Sequence, residues 1–427
     1  MDKKIRKEII ELIGREVVPA LGCTEPAAVS LCVAKVKELL GEVPEKINVS
    51  LSGNMLKNAM GVGIPGTGMI GLPIAIALGA LIGKSEYGLE VLKDVNFEKV
   101  EEGKKYIGEG RISISHEENA PSILYIKVEC FGSGNQTAKG IISGSHTNFI
   151  YLEKNGKVVF SKSAEDRSQS QTSSDPELNM KMVYDFATTA PDEEIAFILE
   201  AKKLNKAAAE VALKNDYGHS LGYTIKNKGQ TLFGDSTLSH IISYTSAACD
   251  ARMGGANIPV MSNSGSGNQG ICATMPVVSF AEDIKADEKT LARALIMSHL
   301  TSIYIKQSLG RLSALCGCVV ASTGASSGIV YLMGGGYKEI CSAVKNMIAN
   351  ITGMICDGAK PSCSLKISSG AGTALMSALL AMENKCVTEA EGIICDDVDQ
   401  SIHNLTSIGR EAMTATDRLV LKIMTSK

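Results

Sequence analysis

Three cysteines in the second half of the chain have a spacing that suits a metal cluster. Cys356 and Cys363 lie seven residues apart in Gly-Met-Ile-Cys-Asp-Gly-Ala-Lys-Pro-Ser-Cys, and Cys316 lies forty residues upstream. Three thiolates can hold an iron–sulfur cluster and leave one iron open to a substrate. Zinc sites favour closely spaced cysteine pairs, which Cys316, Cys318, Cys356 and Cys363 fit poorly. Because four ligands are usual for a cluster, the spacing alone leaves core thiols as an alternative.

The composition excludes several classes of protein. The chain has 427 residues, a net charge of −3 and no Trp. This length predicts two or three domains, and the charge offers no basic surface for nucleic acid or a membrane. The N-terminus leads directly into an amphipathic pattern and lacks the apolar segment of a signal peptide. We therefore expect a cytoplasmic protein whose twelve cysteines are reduced thiols.

Three long stretches carry no charged residue, namely 58–83, 257–281 and 313–337. Their length would permit a membrane span. Each is interrupted by Gly, Pro, Asn or Ser, and none has the continuous apolar core that lipid requires. We interpret them as buried backbone and loops that line an interior site.

The hydrophobic periodicity predicts an α+β N-terminal part followed by a mostly α-helical domain that carries the cluster site. Helices are expected over 5–18 and from Thr24 to about Leu40, and a strand over 46–52. A glycine-rich loop, 61–68, leads into a helix that ends near residue 82. Further strands are expected over 111–116, 123–130, 138–143, 148–153 and 157–161.

A polar segment, 161–179, lacks a periodic apolar face and predicts a surface loop or hinge. Helices are expected beyond it over 192–214, 236–249, 288–308, 338–354, 370–382 and 397–425. We therefore predict two domains. Residues 1–189 form an α+β domain with the glycine-rich pocket loop, and residues 190–427 form an all-α iron–sulfur cluster domain.

Cys23 is a candidate reactive thiol. It precedes Thr24, a plausible N-cap, so it lies just outside a predicted helix N-terminus. The positive end of the helix dipole favours a thiolate there. A buried structural cysteine fits the position equally well, and Glu25 would oppose ionisation if it pointed the same way.

Three polar segments offer possible pocket residues. The loop 61–68, preceded by Asn54 and Lys57, lacks both the phosphate-loop lysine and the dinucleotide fingerprint. It predicts either a tight turn or a carboxylate anchor. His146 lies in a polar loop between two strands and suits acid–base chemistry or a structural role. The segment 262–270, rich in Ser, Gly and Asn, suits a flexible loop or a backbone cradle for the carboxylate of an amino acid or for pyridoxal phosphate.

Seven of these segments together resemble the L-cysteine desulfidase family and, more distantly, the iron–sulfur L-serine dehydratases. They occur in order over nearly the whole chain, which makes the set specific although each segment is weak alone. The matching segments are Ala20-Leu-Gly-Cys-Thr-Glu-Pro, the loop from Lys57 to Gly68, Gly144-Ser-His-Thr-Asn, Asp250-Ala-Arg-Met-Gly-Gly-Ala, Ser262-Asn-Ser-Gly-Ser-Gly-Asn-Gln-Gly, Arg311-Leu-Ser-Ala-Leu-Cys and Gly353-Met-Ile-Cys-Asp-Gly-Ala.

The resemblance implies a [4Fe–4S] cluster held by three cysteines, and the matching positions are Cys316, Cys356 and Cys363. Cys318 lies close enough to Cys316 to leave that assignment open. The related serine dehydratases have a cysteine at the extreme C-terminus, whereas this sequence ends in Met-Thr-Ser-Lys. The desulfidase reading does not need that residue.

The implied reaction is β-elimination of L-cysteine to sulfide, ammonia and pyruvate, with the open iron as a Lewis acid for the leaving sulfur. Removal of the Cα proton needs a base that is deprotonated at working pH. Cys23 is the first choice and Lys57 the second. The residues expected to bind the amino acid are Asn54, His146, Ser264, Ser266, Asn268 and Gln269.

Three other functions remain open from the sequence. An iron–sulfur L-serine dehydratase would use the same cluster on a hydroxyl leaving group. A pyridoxal-phosphate lyase would need a Schiff-base lysine, which is not evident. A non-catalytic sensor would bind an amino acid or a cluster without turnover. Neither nucleic acid nor a membrane is expected as a partner, and the small-residue helices are compatible with a homo-oligomer.

Overall fold

The computed structural model describes residues 1–162, 175–310 and 313–426. Most of the polar segment 161–179, predicted as a loop or hinge, lies outside the described residues. Elsewhere an N-terminal α/β part is followed by a mostly helical part, so the predicted fold class is confirmed.

The N-terminal part is built around a mixed sheet. The strands of the described chain are β1 (Pro19–Leu21), β2 (Lys46–Leu51), β3 (Gly63–Ile64), β4 (Met69–Ile70), β5 (Ile112–His116), β6 (Tyr125–Phe131), β7 (Thr137–Ser143), β8 (Phe149–Lys154), β9 (Lys157–Ser161) and β10 (Pro259–Met261). The predicted strands are confirmed within a few residues. The strand order in the mixed sheet is β5-β2-β6-β7-β8-β9, with β2 and β5 parallel and the other neighbours antiparallel. The helices of this part are α1 (Lys3–Glu16), α2 (Thr24–Leu40), α3 (Gly53–Ala59), α4 (Leu72–Leu81) and α5 (Phe97–Gly108).

One face of the sheet packs against α2. Ile47, Val49 and Leu51 alternate along β2, and all three are fully buried in one core with α2 residues such as Leu31 and Val33. Full burial of each such side chain contributes about 1.5–3 kcal/mol. The period-two alternation therefore fixes which face of β2 meets the helix.

The second part is an assembly of helices around two buried helices, Gly267–Asp283 and Gly317–Leu332. Its helices are α6 (Met180–Thr189), α7 (Asp192–Ile195), α8 (Leu199–Ala212), α9 (Leu221–Lys228), α10 (Gln230–Phe233), α11 (Thr237–Met253), α12 (Gly267–Asp283), α13 (Glu288–Leu309), α14 (Gly317–Leu332), α15 (Tyr337–Ile351), α16 (Cys363–Met382), α17 (Val398–Ser407) and α18 (Met413–Thr425). A short π-helical segment, Ile408–Ala412, joins α17 to α18.

Helices α12 and α14 correct the interpretation of two uncharged stretches as backbone and loops. Both are buried on nearly every face, so neither shows the one-sided apolar stripe that marks an amphipathic helix. Their small hydroxyl side chains are satisfied within the helix, since Ser322 donates to Cys318 O and Thr323 donates to Val319 O. A helix of small residues that is buried all round has no periodic hydrophobic pattern, so the sequence did not predict it.

The two ends of the chain each join the core of the other part. Ile9, Leu12 and Ile13 of α1 lie in the core formed mainly by the helical part. Leu421 of α18 lies in the core of the sheet, and α18 contacts α3. The division into domains at 189/190 stays a prediction.

Helix α16 is the single helix in the described part of the chain that is long and apolar enough to cross a membrane. Length and composition alone give this result, and 56% of its most apolar window is buried. It packs against α11, α14 and α15, as a core helix does.

An ion pair between Lys57 and Asp417 ties α18 to α3, and the Lys57 side chain is only 2% exposed. We expect Asp417→Asn to lower the free energy of unfolding by about 2–3 kcal/mol, because it leaves a buried ammonium without its counter-charge. The exposed pair Lys181–Asp185 provides the control, and Asp185→Asn should cost less than about 1 kcal/mol. Urea denaturation of both variants measures the difference. Equal urea midpoints for the two variants would show that the Lys57–Asp417 pair does not stabilise the packing of α18 on α3.

Candidate active site

A short antiparallel bridge brings two of the predicted ligands together. Leu315 pairs with Ile355. Cys316 N donates to Met354 O at 3.0 Å, and Cys356 N donates to Ala314 O at 2.6 Å. Cys316 and Cys356 are therefore diagonal neighbours on one face of the bridge, a relation in which residues lie about 7–8 Å apart. Burial chiefly raises the pKa of Cys316 well above its ordinary value, and the neighbouring thiols Cys318 and Cys356 add to the shift.

Cys363 joins this pair because the loop after Cys356 turns back on itself. Cys363 N donates to Lys360 O at 2.9 Å, and its Sγ lies 3.6 Å from Gly358 O. Burial raises the pKa of Cys363, and the thiol of Cys356 contributes in the same direction. Cys356 thus lies within electrostatic range of both other sequence-predicted cysteines, Cys316 and Cys363.

Asp357 fixes the shape of that loop. Burial opposes its ionisation, but hydrogen bonds from Lys360 and Lys366 outweigh burial and lower the pKa of Asp357 to about 2. Lys366 also donates to Ile355 O at 2.9 Å. Gly358 has a φ of +93°, and a Cβ there would lie 2.1 Å from Lys57 O, so the loop needs glycine where it meets α3.

The three thiols lie beside helix N-termini and lysine side chains. In the described ranges, no group of three or more His, Cys, Asp or Glu side chains is placed to hold one metal ion. Cys316 is the N-cap of α14 and Cys363 is the first residue of α16, so two helix N-termini favour thiolates here. The cations of Lys306 and Lys366 also lie within electrostatic range of Cys316. Three thiols with adjacent positive charge suit an anionic iron–sulfur cluster.

Cys318, the neighbour that left the first ligand open, has different partners. Its Sγ lies 3.9 Å from Cys272 Sγ and 3.1 Å from Lys366 O. These contacts direct it between α12 and α16, whereas the backbone of Cys316 pairs with the segment that carries Cys356. The structure therefore favours Cys316 over Cys318 as the partner of Cys356.

Cys23 reaches the same region from the N-terminal part. Strand β1 pairs with β10, so Leu21 lies opposite Pro259 and the chain enters α2 beside the 262–270 turn. Cys23 itself is the N-cap of α2, one residue earlier than predicted, and makes no side-chain cap. Its Sγ lies 3.2 Å from Arg252 Nη2.

The sequence predicted that the helix N-terminus favours a thiolate at Cys23, whereas the buried environment in the structure favours the protonated thiol. Burial raises the pKa of Cys23 to about 11, although the guanidinium of Arg252 opposes the shift. Glu25 and Cys363 act in the same direction as burial. The contribution of Cys363 places Cys23 within electrostatic range of that predicted ligand.

The 262–270 turn supplies two different kinds of residue. Ser264 Oγ donates to Asn263 Oδ1, and Ser266 Oγ accepts from Gln269 N as the N-cap of α12, so both hydroxyls serve the turn. Asn268 Oδ1 accepts from Arg252 Nη1 at 3.0 Å. The Gln269 side chain packs against Gly317, the residue after Cys316. Asn268 and Gln269 are therefore the members of this group that face the thiols.

The other predicted residues lie farther from these contacts. Lys57 presents its backbone to Gly358, while its ammonium pairs with Asp417. Asn54 lies half-buried at the start of α3. His146 lies half-buried in the connection between β7 and β8. None of the contacts described for the cysteine cluster includes Asn54 or His146, and their roles stay predictions.

Sequence reasoning missed Arg252 and Lys306. Burial lowers the pKa of Lys306 to about 8, although Cys356 and Cys316 oppose the shift. Arg252 lies within the Asp-Ala-Arg-Met-Gly-Gly segment that contributed to the family resemblance, so that segment was the available signal. Lys306 sits in an ordinary helical pattern that offers none.

A small cavity of about 40 Å³ lies on the outer side of Cys23. Besides Cys23 it is lined by Pro26, Pro65, Glu90 and Lys93. The cavity connects the N-cap of α2 with the segment before α5.

The sequence comparisons decide the family. The family model described as serine dehydratase alpha chain matches residues 86–422. The chain belongs to the serine dehydratase alpha-chain family. This confirms the coarser of the two resemblances found in the sequence and indicates a lyase of the iron–sulfur type.

Full-length relatives support the assignment to the serine dehydratase alpha-chain family. A UPF0597 protein of Bacteroides fragilis is 63% identical and covers 100% of both chains. A UPF0597 protein of Phocaeicola vulgatus is 64% identical over 100% of this chain and 99% of the relative. A UPF0597 protein of Porphyromonas gingivalis is 56% identical over the whole of both. These names give the family without a substrate.

The pKa of Cys23 gives a direct test of the site electrostatics. Because only the thiolate is nucleophilic, the rate of alkylation of Cys23 by iodoacetamide should keep rising between pH 7 and pH 10, below the pKa of about 11. Peptide mass spectrometry locates the label. A rate that levels off near pH 7 would show that Cys23 is already a thiolate at that pH, which would contradict its raised pKa.

Proposed function

We propose that this chain is a cytoplasmic L-cysteine desulfidase, a lyase that depends on a [4Fe–4S] cluster. It converts L-cysteine and water into hydrogen sulfide, ammonia and pyruvate. The observation that carries the proposal is the convergence of Cys316, Cys356 and Cys363 around one bridge and one loop. Membership of the serine dehydratase alpha-chain family supports the lyase chemistry.

Cys316, Cys356 and Cys363 would hold the cluster. When bound by three thiolates, such a cluster supplies an open iron that acts as a Lewis acid on the leaving group. Lys306 and Lys366 stabilise the negative charge of the thiolates. The salt bridges of Asp357 keep the loop between Cys356 and Cys363 in one conformation.

We assign the role of base to Cys23. Its Sγ accepts a hydrogen bond from Arg252, which opposes the rise of its pKa caused by burial, and as a thiolate it would accept the Cα proton of the substrate. The electron pair of the Cα–H bond forms the Cα–Cβ double bond, and the Cβ–S bond breaks with both electrons on sulfur. The resulting aminoacrylate tautomerises to an imine, which water hydrolyses to pyruvate and ammonia. Lys57 is the second choice, since its ammonium is engaged by Asp417.

An L-serine dehydratase is the second candidate, because the matched family carries that name. The reaction differs only in the leaving atom, oxygen instead of sulfur. A soft thiolate binds iron–sulfur centres more readily than a hydroxyl does, which favours cysteine. Residues around the three thiols are compatible with both substrates.

Anaerobic reconstitution followed by substrate addition tests the function. We expect about four iron and four acid-labile sulfide per chain, as a [4Fe–4S] cluster requires. Addition of L-cysteine should release sulfide and pyruvate in equal amounts. Pyruvate from L-serine alone would move the protein to the dehydratases, and a protein that takes up no iron would refute the proposal.

Ligand variants test the assignment of the three cysteines. Cys356→Ser should lose most of the iron and the broad visible absorption of a cluster, because it removes one of three thiolates. Cys318→Ser is the matched control, since this buried thiol lies two residues from Cys316 but faces Cys272. It should retain the iron content of the unmodified protein. Iron loss in Cys318→Ser with retention in Cys316→Ser would reverse the assignment.

A further inference from the structure

Arg252 is a buried guanidinium held by neutral groups. It lies in the last turn of α11 and is 5% exposed. Nη1 donates to Asn268 Oδ1 at 3.0 Å, and Nη2 donates to Gly22 O at 3.0 Å and to Cys23 Sγ at 3.2 Å. In the part of the chain that the structure describes, no carboxylate forms an ion pair with it.

A buried charge without a counter-ion is costly. Removal of an ion from water carries a penalty of several kcal/mol, which hydrogen bonds to neutral groups offset only in part. Arg293, whose side chain is 18% exposed, follows the usual rule, because its guanidinium pairs with Asp192 at 2.6 Å. The environment of Arg252 is therefore that of a residue whose anionic partner comes from outside the chain.

The unpaired donor of Arg252 points at a helix N-terminus. Its Nε is buried and has no hydrogen-bond partner, and a Cβ on Gly267 would lie 2.3 Å from that atom. Gly267 is the first residue of α12, which runs for 17 residues. Among the described hydrogen bonds, the amides of Gly267 and Asn268 have no acceptor. Guanidinium, free amides and helix dipole together suit a carboxylate.

Gln269 offers the complementary group on the side of the cluster. It is 4% exposed, and its buried Oε1 has no donor. Its side chain packs against Gly317, next to Cys316. An orphan acceptor at this place suits an ammonium group. The first turn of α12 thus presents donors toward Arg252 and Cys23, and an acceptor toward the cysteines.

We infer that Arg252 and the N-terminus of α12 bind the α-carboxylate of the substrate, while Gln269 Oε1 accepts a hydrogen bond from its ammonium group. The inference rests on the proposed function for the identity of the substrate. It adds which residues recognise the two charged groups of the amino acid.

Binding without turnover separates this inference from the proposed function. L-Alanine carries both charged groups and no leaving group, propionate lacks the ammonium, and L-alaninamide lacks the carboxylate. Titration calorimetry of the anaerobically reconstituted protein should show binding of L-alanine, weaker binding of propionate and none of L-alaninamide. If L-cysteine is not converted but this order of affinity holds, the proposed function fails and the carboxylate site stands.

Variants assign the binding to the named residues. Arg252→Met should weaken L-alanine binding more than tenfold, and Arg252→Lys should weaken it less, because lysine keeps the charge without the planar fork. Gln269→Leu should weaken L-alanine binding and leave propionate binding unchanged. Arg410→Met, an exposed arginine, is the control and should bind normally. L-Alanine affinity that is unchanged in Arg252→Lys and Arg252→Met, or no L-alanine binding by the unmodified protein, would overturn the inference.

Discussion

The site depends on the antiparallel bridge between Leu315 and Ile355. Two hydrogen bonds flank it and hold Cys316 and Cys356 on one face, although forty residues and the helices α14 and α15 separate them in sequence. The bridge lies between the start of α14 and the end of α15, and these two helices pack against each other. The short loop between Cys356 and Cys363 then turns back toward the bridge, and the salt bridges of Asp357 stabilise this turn.

Residues of the N-terminal part also contact the region around the three cysteines. Pairing of β1 with β10 brings Cys23 to Arg252, and the close approach of Gly358 to Lys57 O brings α3 to the cysteine loop. Each end of the chain packs into the core of the opposite part, through Ile9 and Leu421. The region around the three cysteines therefore lies where residues of the two parts meet. Arg252, Gln269 and Cys23 are all nearly fully buried there.

The sequence predicted elements wherever one face differs from the other. Strand β2 alternates because one of its faces is buried. Helix α2 begins at its expected position, where Thr24 and Pro26 indicated a helix start. Helices α12 and α14 were missed, since a helix of small residues that is buried all round has no periodic signal. Spacing and resemblance named the three cysteines, and their role as ligands stays a prediction. Arg252 lies in a segment that carries the resemblance, but the sequence could not single it out, because the absence of a counter-ion is a property of the folded environment rather than of the neighbouring residues.

The central claim is that Cys316, Cys356 and Cys363 hold one cluster whose remaining iron is open to L-cysteine. Mössbauer spectroscopy of protein reconstituted with ⁵⁷Fe tests it most directly, because each iron of a [4Fe–4S] cluster contributes about one quarter of the absorption. Addition of L-cysteine should shift the signal of about one quarter of the iron and leave the rest unchanged. A spectrum that stays identical with and without L-cysteine, with all iron sites ligated by thiolate, would contradict the account.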